Sequence, residues 1–401
     1  MLSAEQLVRQ IHEAPARVVL AVTGGGSRAI AELLAVPGAS RSVLEAVVPY
    51  SAESLAAWLG GRPDQFCSPP AARAMAVVAW RRARTYGAAD SAAAGVSCTA
   101  GLATDRPKRG GHRAHVAVQT LARTVTWSLE LTKGARSRAE EEDLVCRVIL
   151  NAVAEAGGIP ARLELALAAD EPLTQREVVA PQAWQDLFAG RVEAVRQGPA
   201  EQGSGSPGAE HLQGRSGKRR RAPTASPPPE AIFPGAFDPL HAGHRRMAEM
   251  GREILGRPVA MELSIVNADK PPLSYAEIQR RLAGFPPGQA VWLTRAGTFE
   301  EKSRLFPAAV FLVGSDTLRR IAEPRYYPGG RSACLGALRR IAGRGCRLLV
   351  FGRDTGQGFV RLPDLDLPKV LAGICREVPP NRFRDDISST AIRREGSGIG
   401  D

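Results

Sequence analysis

Apolar positions change period repeatedly along the chain. Residues 2–12 repeat at helical spacing, and residues 17–22 form a short β-branched run that ends at Thr23-Gly24-Gly25-Gly26-Ser27. Helical spacing returns over 28–34. Residues 43–48 read as a strand, 52–59 and 70–85 as helices, and 94–99, 114–120 and 124–131 as strands. Residues 137–156 form an amphipathic helix whose apolar Leu144, Val145, Val148 and Ile149 sit among charged faces. From residue 231 the alternation is more regular. Strands are predicted at 231–233, 259–264, 291–294, 310–313 and 347–351, and helices at 243–255, 275–283, 300–305, 332–342 and 389–394. This β-α-β-α order predicts a Rossmann-like, doubly wound parallel sheet with sites at the carboxyl ends of its strands. The less regular first half implies a layered α/β or α+β domain. No repeat relates the halves.

Residues 198–230 interrupt the pattern with six Gly, six Pro and one large aliphatic residue, Leu212. Such a segment buries too little apolar surface to offset its ordering entropy. The expected organisation is a first domain over 1–197, a flexible linker over 198–229 and a second domain over 230–401. The run Lys218-Arg219-Arg220-Arg221 reads as a solvated part of that linker.

Lys and Arg total 53 against 41 Asp and Glu, a net charge of +12. The excess is scattered, and aromatic residues are not interleaved with it as stacking platforms for nucleic acid would be. Small anionic molecules such as nucleotides are the expected partners, and nucleic acid is not. No run of 18 uncharged apolar residues occurs, so no membrane span is expected. The stretch through residue 22 carries Glu5, Arg9, Glu13 and Arg17, unlike a secretory signal. The six cysteines, Cys67, Cys98, Cys146, Cys334, Cys346 and Cys375, form no CxxC and no cluster, which predicts free thiols in a reducing cytoplasm. Whether the chain forms a homo-oligomer is left open.

The chemistry concentrates after the strand at 231–233. Gly235-Ala236-Phe237-Asp238-Pro239-Leu240-His241-Ala242-Gly243-His244 places two His three apart at a helix start, so their rings share a face. Free N–H groups and the positive dipole end there suit a polyphosphate. Gly235 is expected to let the backbone turn closely under the ligand, and Gly243 to leave room for it between the rings. Farther on, Ile387-Ser388-Ser389-Thr390-Ala391-Ile392-Arg393 sets three hydroxyls at a helix start and a guanidinium one turn inside. One of the serines also suits an N-cap.

GAFDPLHAGH resembles the GxFxPxHxGH motif of the nucleotidylyltransferase superfamily, and ISSTAIR resembles its ISSTxxR motif. Within that superfamily, residues 230–398 most resemble nicotinamide/nicotinate mononucleotide adenylyltransferase. The resemblance implies transfer of AMP from ATP to a pyridine mononucleotide with loss of pyrophosphate, Mg²⁺ accompanying ATP and no protein metal ligand assigned. His241, His244 and Arg393 would be catalytic, and Gly235, Phe237, Ser388, Ser389 and Thr390 would hold the phosphates. The segment 311–317 resembles the family's GxDT element, which implies substrate-binding roles for Gly314 and Asp316. Residues 267–273 and 292–295 resemble pocket elements and add Lys270, Trp292 and Thr294.

The residue types fit the implied reaction. A phosphomonoester loses its second proton near pH ~6, so the nucleophile is ionised at neutral pH and needs no general base. In-line positioning and positive charge on the developing oxyanions are what the protein must supply. Simpler readings stand beside these: Asp316 as a helix cap, Lys270 as solvated, Trp292 as core, and Arg280 and Arg281 as an exposed helix face. Arg353 has the reach to touch phosphate. Because the HxGH turn reads phosphates and not bases, CTP as donor, another acceptor, and a non-catalytic nucleotide-binding regulator remain open.

In the first half, Thr23–Ser27 suits either a small anion site or a plain strand-to-helix turn. With Pro37-Gly38-Ala39-Ser40, Val47-Val48-Pro49-Tyr50-Ser51 and the GVSCTAG stretch at 95–101, it resembles the C-terminal domain of the CinA family over residues 5–160. Active members of that family deamidate nicotinamide mononucleotide. The chain has AVTGGGS where the family has an ESCTGG-like turn, so Val22 or Thr23 replaces the family's Ser. Ser54 and Leu55 occupy the region of an expected Lys, and CTAGLATDRP replaces a glycine-rich stretch. The resemblance implies an αβα layered α/β domain with a ligand site at Ser27, Tyr50 and Thr99, and the departures predict no hydrolysis.

Overall fold

The computed structural model describes residues 2–105, 110–198, 210–212 (backbone), 229–354 and 358–384. The chain divides into two compact units, residues 1–189 with 269–278 and residues 190–268 with 279–401.

The first unit contains α1 (Ala4–Glu13), β1 (Arg17–Val22), α2 (Arg28–Ala35), β2 (Val43–Val47), α3 (Ala52–Leu59), α4 (Pro69–Thr85), β3 (Ala93–Gly101), β4 (His112–Gln119), β5 (Arg123–Leu131), α5 (Arg138–Ala156), β6 (Leu173–Val179) and α6 (Gln182–Ala189). Capping boxes open α1 at Ser3 and α5 at Ser137, where the cap hydroxyl and the side chain three residues on satisfy reciprocal backbone N–H groups. The sheet runs β2-β1-β3-β4-β5-β6, parallel among the first three strands and antiparallel beyond. Alternation along β3 assigns its faces. Val96 and Cys98 join a core with Leu7 of α1, Leu33 of α2 and Ile149 of α5. The opposite face meets α4 at backbone distance. A Cβ on Gly95 would stand 2.1 Å from the Ala76 carbonyl oxygen, so only glycine fits there.

Residues 269–278 belong to this unit because Tyr275 is anchored in it. The Tyr275 ring lies 4.2 Å from Phe188, and its hydroxyl donates to the Leu121 carbonyl at 2.7 Å.

The second unit contains β7 (Ala194–Gln197), β8 (Glu210–Leu212), β9 (Ala231–Pro234), α7 (Ala242–Leu255), β10 (Ala260–Ser264), the latter part of α8 (Tyr275–Leu282), β11 (Val291–Thr294), α9 (Phe299–Leu305), β12 (Val310–Gly314), α10 (Ser315–Ala322), α11 (Gly330–Gly343), β13 (Arg347–Phe351), β14 (Arg353–Asp354), β15 (Phe359–Val360), α12 (Lys369–Ala372) and β16 (Cys375–Glu377). Its sheet runs β16-β13-β12-β9-β10-β11-β7-β8, and the six strands from β16 to β11 are parallel. Counted along the chain, the parallel strands have the 3-2-1-4-5-6 order of a doubly wound sheet, whose switch point lies between β9 and β12. Ligands bind such sheets in the crevice outside that point. Apolar Phe311, Val313, Leu348 and Val350 face α11, while Gly251 lets α7 approach Leu312 so closely that an added Cβ would meet it at 2.4 Å.

Two expectations about organisation change. The four residues of β7 precede the linker, yet they pair antiparallel with β11, which moves the boundary from 197 to 189. Part of the expected linker, Glu210–Leu212, pairs with β7 as a further strand. None of the six cysteines is in a disulfide, and four of them are buried. No helix among the described residues is long and apolar enough to cross a membrane.

Candidate functional site

The turn after β9 is built by its own aromatic residue. Phe237 adopts a left-handed backbone, φ 47°, and its ring folds back over Gly235. A Cβ at Gly235 would stand 2.5 Å from that ring, so glycine is needed here to admit Phe237. The Phe237 ring is 1% exposed and meets Phe233, His244 and Phe285 edge-on at 5.5, 5.2 and 5.2 Å. Its side chain is therefore a buttress, and only its backbone is left for the expected phosphate contact.

His241 is the N-cap of α7, and His244 sits one turn inside. Their rings stack with centroids 3.7 Å apart, which leaves no space between them. The expected gap at Gly243 is absent because that glycine is buried and the rings close over it. The His241 backbone N–H donates to His244 Nδ1 at 3.3 Å, so a neutral His244 carries its proton on Nε2. Burial, the neighbouring His241 and the Arg353 guanidinium hold the His244 pKa down to about 3. His244 is thus a neutral donor and not the positive charge expected from the residue type.

Across the switch point, β12 ends at Gly314, the N-cap of α10. Asp316 in the first turn of α10 accepts from Arg353 at 2.7 Å, and both side chains are partly exposed. The Ser315 hydroxyl, between Gly314 and Asp316 in sequence, is buried with no hydrogen-bond partner in the described structure. The arrangement offers a donor pair, a helix N-terminus and a guanidinium at the carboxyl ends of β9, β12 and β13.

Two expected pocket residues in this unit turn inward. Trp292 is 3% exposed and packs edge-on against Phe306 at 5.7 Å, so it is core. Thr294 is fully buried and donates to the Glu262 carboxylate. Lys302 donates to both oxygens of Glu262 at 2.8 Å and to the Ala296 carbonyl at 2.8 Å. The network sits directly behind the motif turn, because the Glu262 carbonyl accepts the Gly235 N–H at 3.0 Å. Lys270 falls in the first unit, exposed, with its backbone lying against Gly61. Ser388, Ser389, Thr390 and Arg393 lie outside the described residues. Near the end of the described residues, Phe383 is buried edge-on against Phe351 at 4.9 Å.

Arg281 was the residue that sequence reasoning missed. It is 8% exposed, not on an open helix face, and it donates to the Ala236 carbonyl at 3.0 Å and to Asp238 at 3.1 Å. Arg280 pairs with the other oxygen of Asp238.

In the first unit the glycine-rich turn already holds an anion. The Glu142 carboxylate accepts the Gly26 N–H at 2.8 Å, the Arg28 N–H at 3.1 Å and the Ser27 hydroxyl at 3.2 Å. Ser27 is thus engaged internally. Tyr50 is 76% exposed, with its ring lying where a Cβ on Gly24 would be. Thr99 is fully buried, and its hydroxyl lacks a hydrogen-bond partner in the described structure. The turn brings Ser27 and Tyr50 together, and Thr99 lies inside the sheet.

Residues 232–285, from β9 through α8, match the cytidylyltransferase-like family model, which supports a nucleotidyltransferase. The N-terminal part is similar to several solved structures. The competence/damage inducible protein CihA from Agrobacterium tumefaciens is 22% identical, with 38% of this chain and 94% of that one covered and a TM-score of 0.31. The competence-damaged protein (CinA) superfamily protein from Escherichia coli is 16% identical, with 38% and 90% covered and a TM-score of 0.32. A competence or damage-inducible protein from Enterobacter asburiae is 17% identical, with 38% and 98% covered and a TM-score of 0.32. No curated protein matches the chain.

Proposed function

We propose that the second unit transfers AMP from MgATP to the phosphate of nicotinamide or nicotinate mononucleotide, releasing pyrophosphate. The observation that carries this reading is the stacked His241–His244 pair at the start of α7, beside the switch point of the sheet. The acceptor phosphate is already ionised at neutral pH, so the protein's task is alignment and stabilisation of charge on the α-phosphoryl oxygens. His244 Nε2–H and the first-turn N–H groups of α7 act as fixed donors. Arg353, oriented by Asp316, supplies positive charge at the edge of the site. Ser388, Ser389, Thr390 and Arg393 are proposed to complete the phosphate contacts.

A second reading, CTP as donor, is favoured by the description of the matched family. Both are tested by pyrophosphate release from the full chain with each nucleoside triphosphate and each mononucleotide, the product being identified by mass. ATP-dependent formation of a dinucleotide is expected. Product from CTP only would favour the second reading, and calorimetric binding without product would make the unit a regulator. For the first unit no ammonia release from nicotinamide mononucleotide is expected, because Glu142 fills the turn that would receive an anionic group.

A further inference from the structure

We infer that Arg281 is a positioning residue for the phosphate-binding turn, holding Phe237 in the conformation that supports His244. Phe237 occupies a backbone region that a bulky L-residue rarely adopts, with φ 47°. Such a conformation persists only where its surroundings over-determine it. Arg281 grips both neighbours of Phe237. One guanidinium nitrogen donates to the carbonyl of Ala236 at 3.0 Å, and the other donates to the carboxylate of Asp238 at 3.1 Å. The planar fork spans both acceptors at once, which an ammonium does not do in the same geometry.

The consequence passes through one ring. With the backbone held, the Phe237 ring covers Gly235 and meets His244 edge-on at 5.2 Å and 76°. That contact helps to exclude water from His244 and to fix its orientation against His241. Arg281 and Arg280 also neutralise Asp238, whose carboxylate would otherwise repel a polyphosphate at the same turn. Arg281 touches no reacting atom in this scheme and acts through Phe237. The rate arm of the test rests on the nucleotidyl-transfer reading, and the imidazole arm does not.

The test is Arg281→Lys in the full chain, with two readouts. Turnover is measured by pyrophosphate release, and the His244 imidazole is titrated by NMR after assignment with His244→Gln. We expect kcat to fall 10- to 100-fold with KM for ATP within threefold, and the His244 titration to move up toward the ordinary imidazole range. Added guanidinium ion should restore part of the rate of Arg281→Ala, and sodium at equal ionic strength should not. An unmoved His244 titration overturns the proposal whatever the rate does. If Arg281→Lys does not fold, Asp238→Asn carries the same imidazole readout, since it weakens one of the two contacts and keeps the side-chain shape. Absence of pyrophosphate release by wild type would overturn the nucleotidyl-transfer reading and leave the imidazole result to decide on Arg281.

Discussion

Glu142 gives the sharpest stability test in the first unit. Its carboxylate closes the N-terminus of α2 by accepting from the Gly26 N–H, the Arg28 N–H and the Ser27 hydroxyl at 2.8, 3.1 and 3.2 Å. Glu142→Ala removes all three acceptor contacts. Gly26 is buried, so its N–H is left without a partner at a cost of about 1–3 kcal/mol. Ser27 and Arg28 are more exposed, and water replaces most of their loss, leaving roughly 0.5 kcal/mol each. Loss of a negative charge at the positive end of the α2 dipole adds about 0.3–1 kcal/mol. The long contact to Arg138 at 3.9 Å contributes little. The expected total is about 2–5 kcal/mol. Glu142→Gln keeps one oxygen acceptor and loses the charge, so it should cost about 1–2 kcal/mol.

The assay is urea unfolding of the full chain followed by tryptophan fluorescence. Trp58, Trp80, Trp127 and Trp184 lie in the first unit and only Trp292 in the second, so the signal reports mainly the unit that is perturbed. Inorganic phosphate should stabilise the first unit of the Ala variant and not the first unit of wild type, because in that unit only the variant has its turn cleared of the Glu142 carboxylate; saturation at a hundred times Kd corresponds to about 2.7 kcal/mol. An Ala variant within ~0.5 kcal/mol of wild type would refute the reasoning, as would equal losses for Ala and Gln.

His244→Ala should lower the rate of nucleotidyl transfer by about 10²–10³, or ~2.7–4 kcal/mol, with an unchanged circular dichroism spectrum; near-native turnover would remove His244 from the chemistry. His115 is buried beside Arg113 and Arg73, and burial chiefly lowers its pKa from 6.5 to about 4. The unfolded chain therefore binds the extra proton between those values, and stability contributed at neutral pH is lost on acidification, by about 2 kcal/mol between pH 7 and pH 5. His115→Asn should flatten that segment of a urea-derived stability profile. Lys302→Met leaves the buried Glu262 carboxylate without its cation and should cost about 3–5 kcal/mol in the second unit, measured by hydrogen exchange along β10; Glu262→Gln in the same chain should recover most of it.

The parallel strands were legible because they are buried on both faces and read as continuous apolar runs, as in Val310–Gly314 and Arg347–Phe351. The strand β6, with only Val178 buried along LTQREVV, gave no such signal and was missed. So was β7, whose partner β11 lies almost a hundred residues later. The His pair was legible because His, Gly and Pro crowd into ten residues after a strand. The same crowding does not say how they pack: the Phe237 ring, expected at the phosphates, lies edge-on against His244. Trp292 and Thr294 alternate correctly for a strand, but a strand buried on both faces hides polar residues as well as apolar ones, and Thr294 had a carboxylate waiting on β10. Arg281 was illegible for a simpler reason. Its contacts lie 43 and 45 residues back in the chain, and nothing in helix periodicity encodes a return of that kind.

The two glycine-rich turns of the chain separate cleanly by what caps the helix that follows. Each ends a central strand and opens a helix, so each presents unsatisfied N–H groups and a positive dipole end. At α2 the chain supplies its own anion, Glu142, and the donors are spent. At α7 the cap is His241 and the reciprocal partner is His244, where a Ser and a Glu would ordinarily stand. That substitution keeps the capping geometry and removes the carboxylate. With Asp238 already neutralised by Arg280 and Arg281, the start of α7 holds no uncompensated acid, and with His244 neutral it holds no large fixed charge from that ring either. In the proposed reaction a site of this kind meets the polyphosphate with oriented N–H dipoles, and a fixed cation at the position of His244 would attract the bound triphosphate before charge develops as well as after. Uniform tightening does not raise kcat. In the proposed reaction His244 is accordingly a neutral donor, whose hydrogen bond to one oxygen strengthens as charge develops on that oxygen.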